Sequence, residues 1–519
     1  MQKESRTQKS LLNMRVNLAC YFVNIVVSFF TRKVFLDQLG KDFVGLTSTL
    51  HSLLGFLNIA ELGVAAAISY FLYKPLFEGD KKKIEEIVSV FGFLYRLIGL
   101  LILGGGIVLS LFLSRIFAGT EFSYFTLFVG FYSYLFVAML GYFVNYKQTL
   151  LTADQRNYEV TGLNQTIIAI KSLAQMVLAY KYQSYILFFS LEAIFGITYS
   201  IILNGRIRKT YPWLTTKISS GKLLLSKYPE IKKKIGQICI HKIGGFVQFQ
   251  LMPILIYAYV SLPIVALYTN YTTLTNALRS MINAVLYSSN AGVGSLVAEG
   301  NTNKIMSVYK GIFAIDFLVS AIFAGCVYEF ISFFIEVWLG KEYILGNMVV
   351  FLICAQLFLA ILRLCTDQFV AAYGLFSDTW APIVESVLFV GLSMLCGSLW
   401  GLVGILMGPV VSTLLIIHVW KPYFLFSRGI KVSVFVYWKL FLKHAIALFI
   451  VYNISSYLIR LLMSEFSLIR SWESLVLYST LHIICITLLG TIFSCFISSD
   501  FREIAGGIIK RTVRRIFNK

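Results

Sequence analysis

The sequence predicts an all-α polytopic membrane protein of about fourteen transmembrane helices, built as two parallel six-helix lobes with two helices appended. Three observations carry that prediction. Of 519 residues, 58% are hydrophobic and only 13% are charged, against roughly 45–50% and 25% in soluble domains, and mean hydropathy is +0.77. Apolar runs of about 20 residues, the length that crosses a bilayer, recur from end to end. Basic residues gather on alternate connections between those runs, as they do where short loops face a cytoplasm.

The helices fall at about 11–33, 43–73, 84–113, 122–146, 157–180, 183–204, 236–260, 263–292, 305–335, 344–366, 379–398, 400–420, 437–462 and 473–497. With the amino terminus placed inside, the cytoplasmic connections hold Lys74, Lys81, Lys82, Lys83, Lys147, Arg156, the basic run from Arg206 to Lys242, Lys304, Lys310, Lys421, Arg428 and Lys431. The opposite side receives only Arg32, Lys33, Lys41, Arg115, Lys181, Lys341, Arg460 and Arg470. That asymmetry fits an even number of spans with both termini cytoplasmic. The first ten residues are polar and basic, and the long apolar run after them is interrupted by Asn13, Asn17 and Asn24, so no cleavable signal peptide is expected.

Residues 1–204 form the first lobe and 236–420 the second. Residues 205–235 are a basic linker whose Lys217–Lys234 part, alternating Leu and Lys, reads as an interfacial helix on an anionic leaflet. Residues 421–497 hold the appended pair, and 498–519 form a basic cytoplasmic tail. The two lobes are internal repeats. Val44-Gly45-Leu46 recurs as Val265-Ala266-Leu267, and Glu78-Gly79-x-x-x-Lys83-Ile84 as Glu299-Gly300-x-x-x-Lys304-Ile305, at one gapless offset of 221 residues. An even number of helices per repeat makes the repeats parallel, related by an axis along the membrane normal.

Ionisable and amide side chains at membrane depth are costly and face a protein interior or water. Asn13, Asn17, Tyr21, Asn24, Ser28 and Thr31 line one face of the first helix. Thr47, His51, Asn58 and Glu61 line the second, Gln237, His241 and Gln248 the seventh, and Asn276, Arg279 and Asn283 the eighth. Each residue alone is explained by helix-to-helix hydrogen bonding. Together, on equivalent helices of both repeats, they predict a wet cavity. Arg279 and Lys171 have no acidic residue one turn away, and cations so placed suit an anionic ligand such as a phosphate. The competing reading of Arg279 is an ion pair with Glu61. Arg96 either lines the cavity or snorkels. Arg363 and Asp367, spaced i,i+4, form a self-neutralising or gating pair. Asp316 and Glu192 are isolated acids with a structural or an ion-coupling role.

Other chemistries are excluded. None of the eight Cys forms Cys-x-x-Cys, and the five His lie on separate helices, so neither a metal site nor a disulfide frame is expected. No G-x-x-x-x-G-K-[ST] loop occurs, so the chain is not itself an ATP-driven pump, and no cofactor is implied. The net charge of +20 reflects cytoplasmic loops rather than a nucleic-acid surface. Every outer loop is short, which disfavours a membrane polymerase or glycosyltransferase.

The strings Leu39-Gly40-x-x-x-Val44-Gly45-Leu46, Ala60-Glu61-Leu62-Gly63 and Tyr70-Phe71-Leu72-Tyr73-Lys74-Pro75-Leu76 resemble the polysaccharide-transporter family of bacterial flippases, the Wzx type. That family lies in the superfamily that also holds MATE exporters and lipid II flippases. The resemblance implies a V-shaped pair of lobes and movement of undecaprenyl-diphosphate-linked oligosaccharides across the bacterial inner membrane, for O-antigen, capsule or exopolysaccharide. It also implies membrane lipids, a polysaccharide polymerase and chain-length proteins as partners, and cationic cavity residues. Arg279, Lys171 and Arg96 are assigned to that cationic role from helix faces alone. A proton or Na⁺ could couple at Glu61, Asp316 or Asp367. The alternative is a MATE-like cation or drug antiporter.

Overall fold

The computed structural model describes residues 6–61, 63–286, 290–375, 377–465 and 471–503. The basic tail beyond these, and the side chains of Asn13, Asn17, Tyr21, Gln237 and His241 from the expected polar stripes, lie outside the described residues. Among the described residues every regular element is helical. In chain order the helices are α1 (Arg6–Leu57), α2 (Val64–Glu78), α3 (Lys81–Ser110), α4 (Leu113–Ile116), α5 (Tyr124–Phe143), α6 (Gln148–Ala153), α7 (Asn157–Tyr182), α8 (Tyr185–Thr210) and α9 (Gly221–Lys227). They continue with α10 (Pro229–Tyr259), α11 (Leu262–Leu286), α12 (Asn290–Glu299), α13 (Thr302–Trp338), α14 (Asn347–Ala372), α15 (Trp380–Thr413), α16 (Lys421–Phe424), α17 (Phe435–Glu465) and α18 (Trp472–Ile497). Eight of the described helical segments are long and apolar enough to cross a membrane, and the chain is an all-α polytopic membrane protein.

The chain forms two compact units, Met1–Ala266 and Leu267–Lys519. This boundary lies past the one expected from the sequence, because α10 packs on α1 and α2. Glycines of the first two spans line this approach to α10 and to the start of α11. A Cβ on Gly45 would stand 2.0 Å from the Leu262 carbonyl oxygen, one on Gly55 2.3 Å from Gln250 Oε1, and one on Gly63 2.9 Å from the Cys239 nitrogen. At Gly45 and Gly63 the partner is backbone, and only glycine permits backbones this close. The helix expected to open the second lobe therefore completes the first unit.

Two expected helices prove discontinuous. α1 runs through the first span and into the second across a break at Gly40, whose φ is 87°. The second span breaks again, as a 3₁₀ turn over Asn58–Glu61 followed by Gly63 at φ 87°, a conformation glycine adopts without steric cost. In the second unit α11 runs unbroken through Arg279, at the repeat position of Asn58. The break, and with it the backbone shelf that presents Glu61, belongs to the first repeat alone.

The repeat motif itself folds alike in both copies. Gly79 and Gly300 take φ of 72° and 75°. Asp80 and Asn301 then cap the next helix by accepting from the backbone N–H of Lys83 and Lys304, at 3.0 and 3.1 Å. Ile84 and Ile305 follow, each 2% exposed. A left-handed glycine, an N-cap and a buried anchor make the polar match a structural one.

In the second unit, Tyr309, Phe313 and Phe317 of α13 pack with Phe369 of α14, Phe426 and Tyr437 of α17. α15 joins the expected eleventh and twelfth helices through a break at Trp400 and Gly401. Past that break the chain packs back on itself. A Cβ on Gly404 would lie 1.9 Å from the Cys396 carbonyl oxygen and one on Gly408 2.0 Å from Ser393 Oγ, and Ser393 donates to the Ile405 carbonyl at 2.8 Å. The twelfth helix then continues to Ile430 through two π-helical stretches, Leu414–Trp420 and Leu425–Ile430, rather than stopping at 420.

The linker is not one interfacial helix. α9 and α10 are separated at Tyr228, and the segment is clamped to the end of α3. Lys227 Nζ and the Tyr228 hydroxyl meet Glu86 Oε2 at 2.8 and 2.6 Å. The Thr215 N–H donates to Glu85 at 2.7 Å and the Lys217 N–H to Ser89 at 3.0 Å. The Glu86 carboxylate holds the Lys227 ammonium above the usual lysine range. At the end of α8, burial and then the Asp154 carboxylate, 2.9 Å away, push the Tyr211 phenol up.

Candidate functional site

The break in the second span leaves Glu61 beside a polar cavity inside the first unit. One carboxylate oxygen accepts from the Tyr95 hydroxyl of α3. The other accepts from the Tyr142 hydroxyl of α5 at 2.7 Å, and that hydroxyl also lies 3.0 Å from Asn58 Oδ1. A cavity of about 570 Å³ opens here, lined by Glu61, Ser69, Tyr95, Asn145, Gln148, Thr149, Asn164 and Tyr199 together with apolar residues. Its polar wall is ordered. Asn145 donates to Ser200 at 2.9 Å and accepts from Asn204 at 3.0 Å, and Tyr199 donates to Gln148 at 3.0 Å. A carboxylate fixed by two phenols at the edge of a cavity with polar side chains in its wall can exchange a proton or hold a small cation.

A second cluster in the same unit joins α7 to α8. Lys171 Nζ lies 2.6 Å from Glu192 Oε2, and Gln175 Nε2 donates to Glu192 Oε1 at 2.8 Å. Both charged side chains are largely buried, at 19% and 10% exposure. Lys171, expected to lack an acidic partner, has one, and Glu192 is not isolated. The pairing crosses between helices, so a search one turn away along α7 misses it. His51 is within the electrostatic reach of both charges and packs edge-on against Tyr134, ring centroids 6.0 Å apart.

The remaining expected residues are distributed. Asn24 donates to the Cys20 carbonyl at 3.0 Å and to the Gln165 carbonyl of α7 at 3.2 Å, which ties two helices together. Arg96 is exposed on α3 among exposed Leu97, Leu100 and Leu101 and does not line the Glu61 cavity. Gln248 is half-buried on α10. In the second unit Arg279 and Asn276 are exposed on α11, while Asn283 is partly buried, its Oδ1 without a hydrogen-bond partner among the described residues. Arg363 pairs with Asp367 at 2.7 Å, as the spacing predicts. His418 is buried within electrostatic reach of both and sits 3.1 Å from the Leu359 carbonyl. Asp316 is fully buried in α13, neither carboxylate oxygen having a hydrogen-bond partner among the described residues.

Tyr95, Tyr142 and Tyr199 escape sequence reasoning, because an aromatic hydroxyl inside an apolar run carries no periodic signal, and Asn145 does because it stands at the end of its span without a polar stripe. All eight cysteines are free thiols. No group of three or more His, Cys, Asp or Glu able to hold a metal occurs among the described residues.

Comparison with protein families finds no match, and none of the curated proteins matches. Solved structures do match. An inward-facing multidrug-resistance MATE family transporter of the MOP superfamily is 13% identical, over 80% of this chain and 97% of its own, with a TM-score of 0.58. The lipid II flippase MurJ, in an inward closed conformation, is 15% identical over 92% of this chain and 98% of its own, with a TM-score of 0.60. This chain has their fold. A further MATE structure, in complex with MaD5, aligns over 80% of the chain with a TM-score of 0.52.

Proposed function

We propose that the protein is a flippase that moves undecaprenyl-diphosphate-linked oligosaccharides across a bacterial inner membrane, with both termini cytoplasmic, for assembly of a surface polysaccharide. The observation that carries the reading is the extent of the chain. The lipid II flippase aligns with 92% of it and the MATE transporters with 80%, and the chain adds α17 and α18 to its two repeats.

In this reading Arg279 contacts the diphosphate, with Lys171 and Arg96 as further cations. The Lys171 contact requires the phosphate to compete with Glu192, which holds the ammonium at 2.6 Å. No ATP is required. Each negative charge moved outward from a negative interior gains about 2.3 kcal/mol per 100 mV. Glu61 is the residue for proton or Na⁺ coupling, because its carboxylate borders a cavity of about 570 Å³. Asp316 and the Arg363–Asp367 pair are the second-unit candidates for coupling and gating. A polysaccharide polymerase and chain-length proteins would take up the product on the outer face.

The rival is a cation or drug antiporter. The pairing of Lys171 favours it, because that pairing leaves one cation fewer for an anion. The deciding experiment deletes the gene in its native host and measures the leaflet of the lipid-linked glycan. Glycan accumulating on the cytoplasmic side, with surface polysaccharide lost and restored by the wild-type chain but not by Arg279→Ala, supports the flippase. Unchanged surface glycan with new sensitivity to cationic dyes overturns it.

A further inference from the structure

The appended helices carry a buried polar cluster that the proposed transport path does not use. α17 and α18 pack on each other and on α13. The approach is close on both sides: a Cβ on Gly490 of α18 would stand 2.6 Å from Leu318 Cδ1, and one on Gly325 of α13 would meet the Tyr452 ring at 3.1 Å. In the same interface the Tyr452 hydroxyl of α17 donates to Glu329 Oε2 of α13 at 3.0 Å. Arg460 of α17 places a guanidinium nitrogen 3.6 Å from Glu329 Oε1, with its side chain 72% exposed. The His482 ring of α18 stands edge-on to Phe330 at 5.4 Å and to Tyr452 at 6.4 Å, within electrostatic reach of Glu329. His482 is 0% exposed, and neither ring nitrogen has a hydrogen-bond partner among the described residues.

A helix pair that only had to pack would place leucine or phenylalanine at this depth. A buried imidazole with two unused nitrogens is costly, and so is a carboxylate in a membrane interior. Each lowers the cost of the other once a proton is bound. We infer that Glu329, Tyr452 and His482 form a proton-binding site that couples the appended helices to α13. The proton adds to the lone pair of an imidazole nitrogen, and the Glu329 carboxylate, oriented by the Tyr452 hydroxyl, balances the imidazolium. Arg460 satisfies Glu329 only in part, because an exposed guanidinium is screened by water. Its exposure marks the end of the cluster through which protons enter and leave. Beside the cluster stand Cys326 and Tyr328 of α13 and Tyr478 of α18, while the same three helices carry Asp316, Glu336, His444, Tyr457, Glu473 and several lysines elsewhere along their length. Thiols and phenols ordinarily titrate above neutrality, whereas imidazole titrates between about pH 5 and pH 8. Of the groups at this interface the imidazole is the one suited to take a proton in that range, and its protonation makes the packing of α17 and α18 on α13 sensitive to pH.

The test counts protons taken up by the purified full-length protein on acidification from about pH 8 to about pH 5. His482→Gln is expected to take up about one proton fewer per chain than the wild type. Glu329→Gln is expected to lose the same proton, because the imidazolium would then be uncompensated, and the double variant to lose no more than either single one. Uptake equal to wild type in His482→Gln overturns the inference, as does an additive loss in the double variant. Should His482→Gln fail to fold, Glu329→Gln decides alone, since undiminished uptake there leaves the imidazolium without the partner the site requires.

Discussion

The Lys171–Glu192 pair makes a sharp energetic prediction. Its Nζ–Oε2 distance is 2.6 Å, both side chains are at most one fifth exposed, and Gln175 donates a second hydrogen bond to the carboxylate. Removing one partner of such a pair strands the other charge, at a cost of about 3–5 kcal/mol, whereas replacing both with apolar groups of similar size is near neutral. Glu192→Leu and Lys171→Met should each destabilise the first unit by that amount, while the double variant should recover most of the loss. For a unit of this size 1 kcal/mol moves the melting temperature by about 2–4 °C, so each single variant should melt roughly 10 °C lower. The assay is a thermal scan of the purified full-length protein and the three variants in one detergent. The cycle is read from the non-additivity, which cancels effects common to the variants. Additive losses would refute the pairing.

Two further predictions follow from local geometry. Gly404→Val should abolish stable expression, because its Cβ would overlap the Cys396 carbonyl oxygen at 1.9 Å and backbone there cannot yield; normal yield and melting would refute the tight packing of α15. Glu61→Gln should keep the fold, since the amide oxygen still accepts from Tyr95 and the Tyr142 hydroxyl keeps Asn58 Oδ1 as an acceptor at 3.0 Å, but should abolish the pH or Na⁺ dependence of transport in vesicles. Retained dependence would move the coupling role to Asp316 or Asp367.

Much of this fold can be read from the amino acids, because a membrane imposes simple rules. Apolar run length sets the spans, and the Glu-Gly-x-x-x-Lys-Ile match picks out two turns whose Gly79 and Gly300 adopt the same left-handed conformation. The Arg363–Asp367 pair is legible because it lies along one helix. Contacts between helices are harder. Glu192 lies 21 residues beyond Lys171, and no periodicity brings them together. The break at Asn58–Glu61 hides inside an apolar run, with only Gly63 to signal it, and α11 shows that the repeat equivalent need not break. The attachment of α10 to the first unit involves Gly63 meeting the backbone of Cys239, which a basic linker next to it in sequence obscures. The clamp on Glu86 was likewise masked by lysines that read as a lipid-facing surface.

Transport of the lipid-linked glycan itself is the most direct test of the central claim. The full-length protein would be reconstituted into vesicles carrying undecaprenyl-diphosphate-linked oligosaccharide, and exposure of the diphosphate head group followed with a membrane-impermeant hydrolase. A flippase predicts that head groups trapped in the inner leaflet become accessible with the wild-type chain and far more slowly with Arg279→Ala. Head groups that stay trapped, in vesicles where the same protein exchanges a cationic dye for protons or Na⁺, would contradict it.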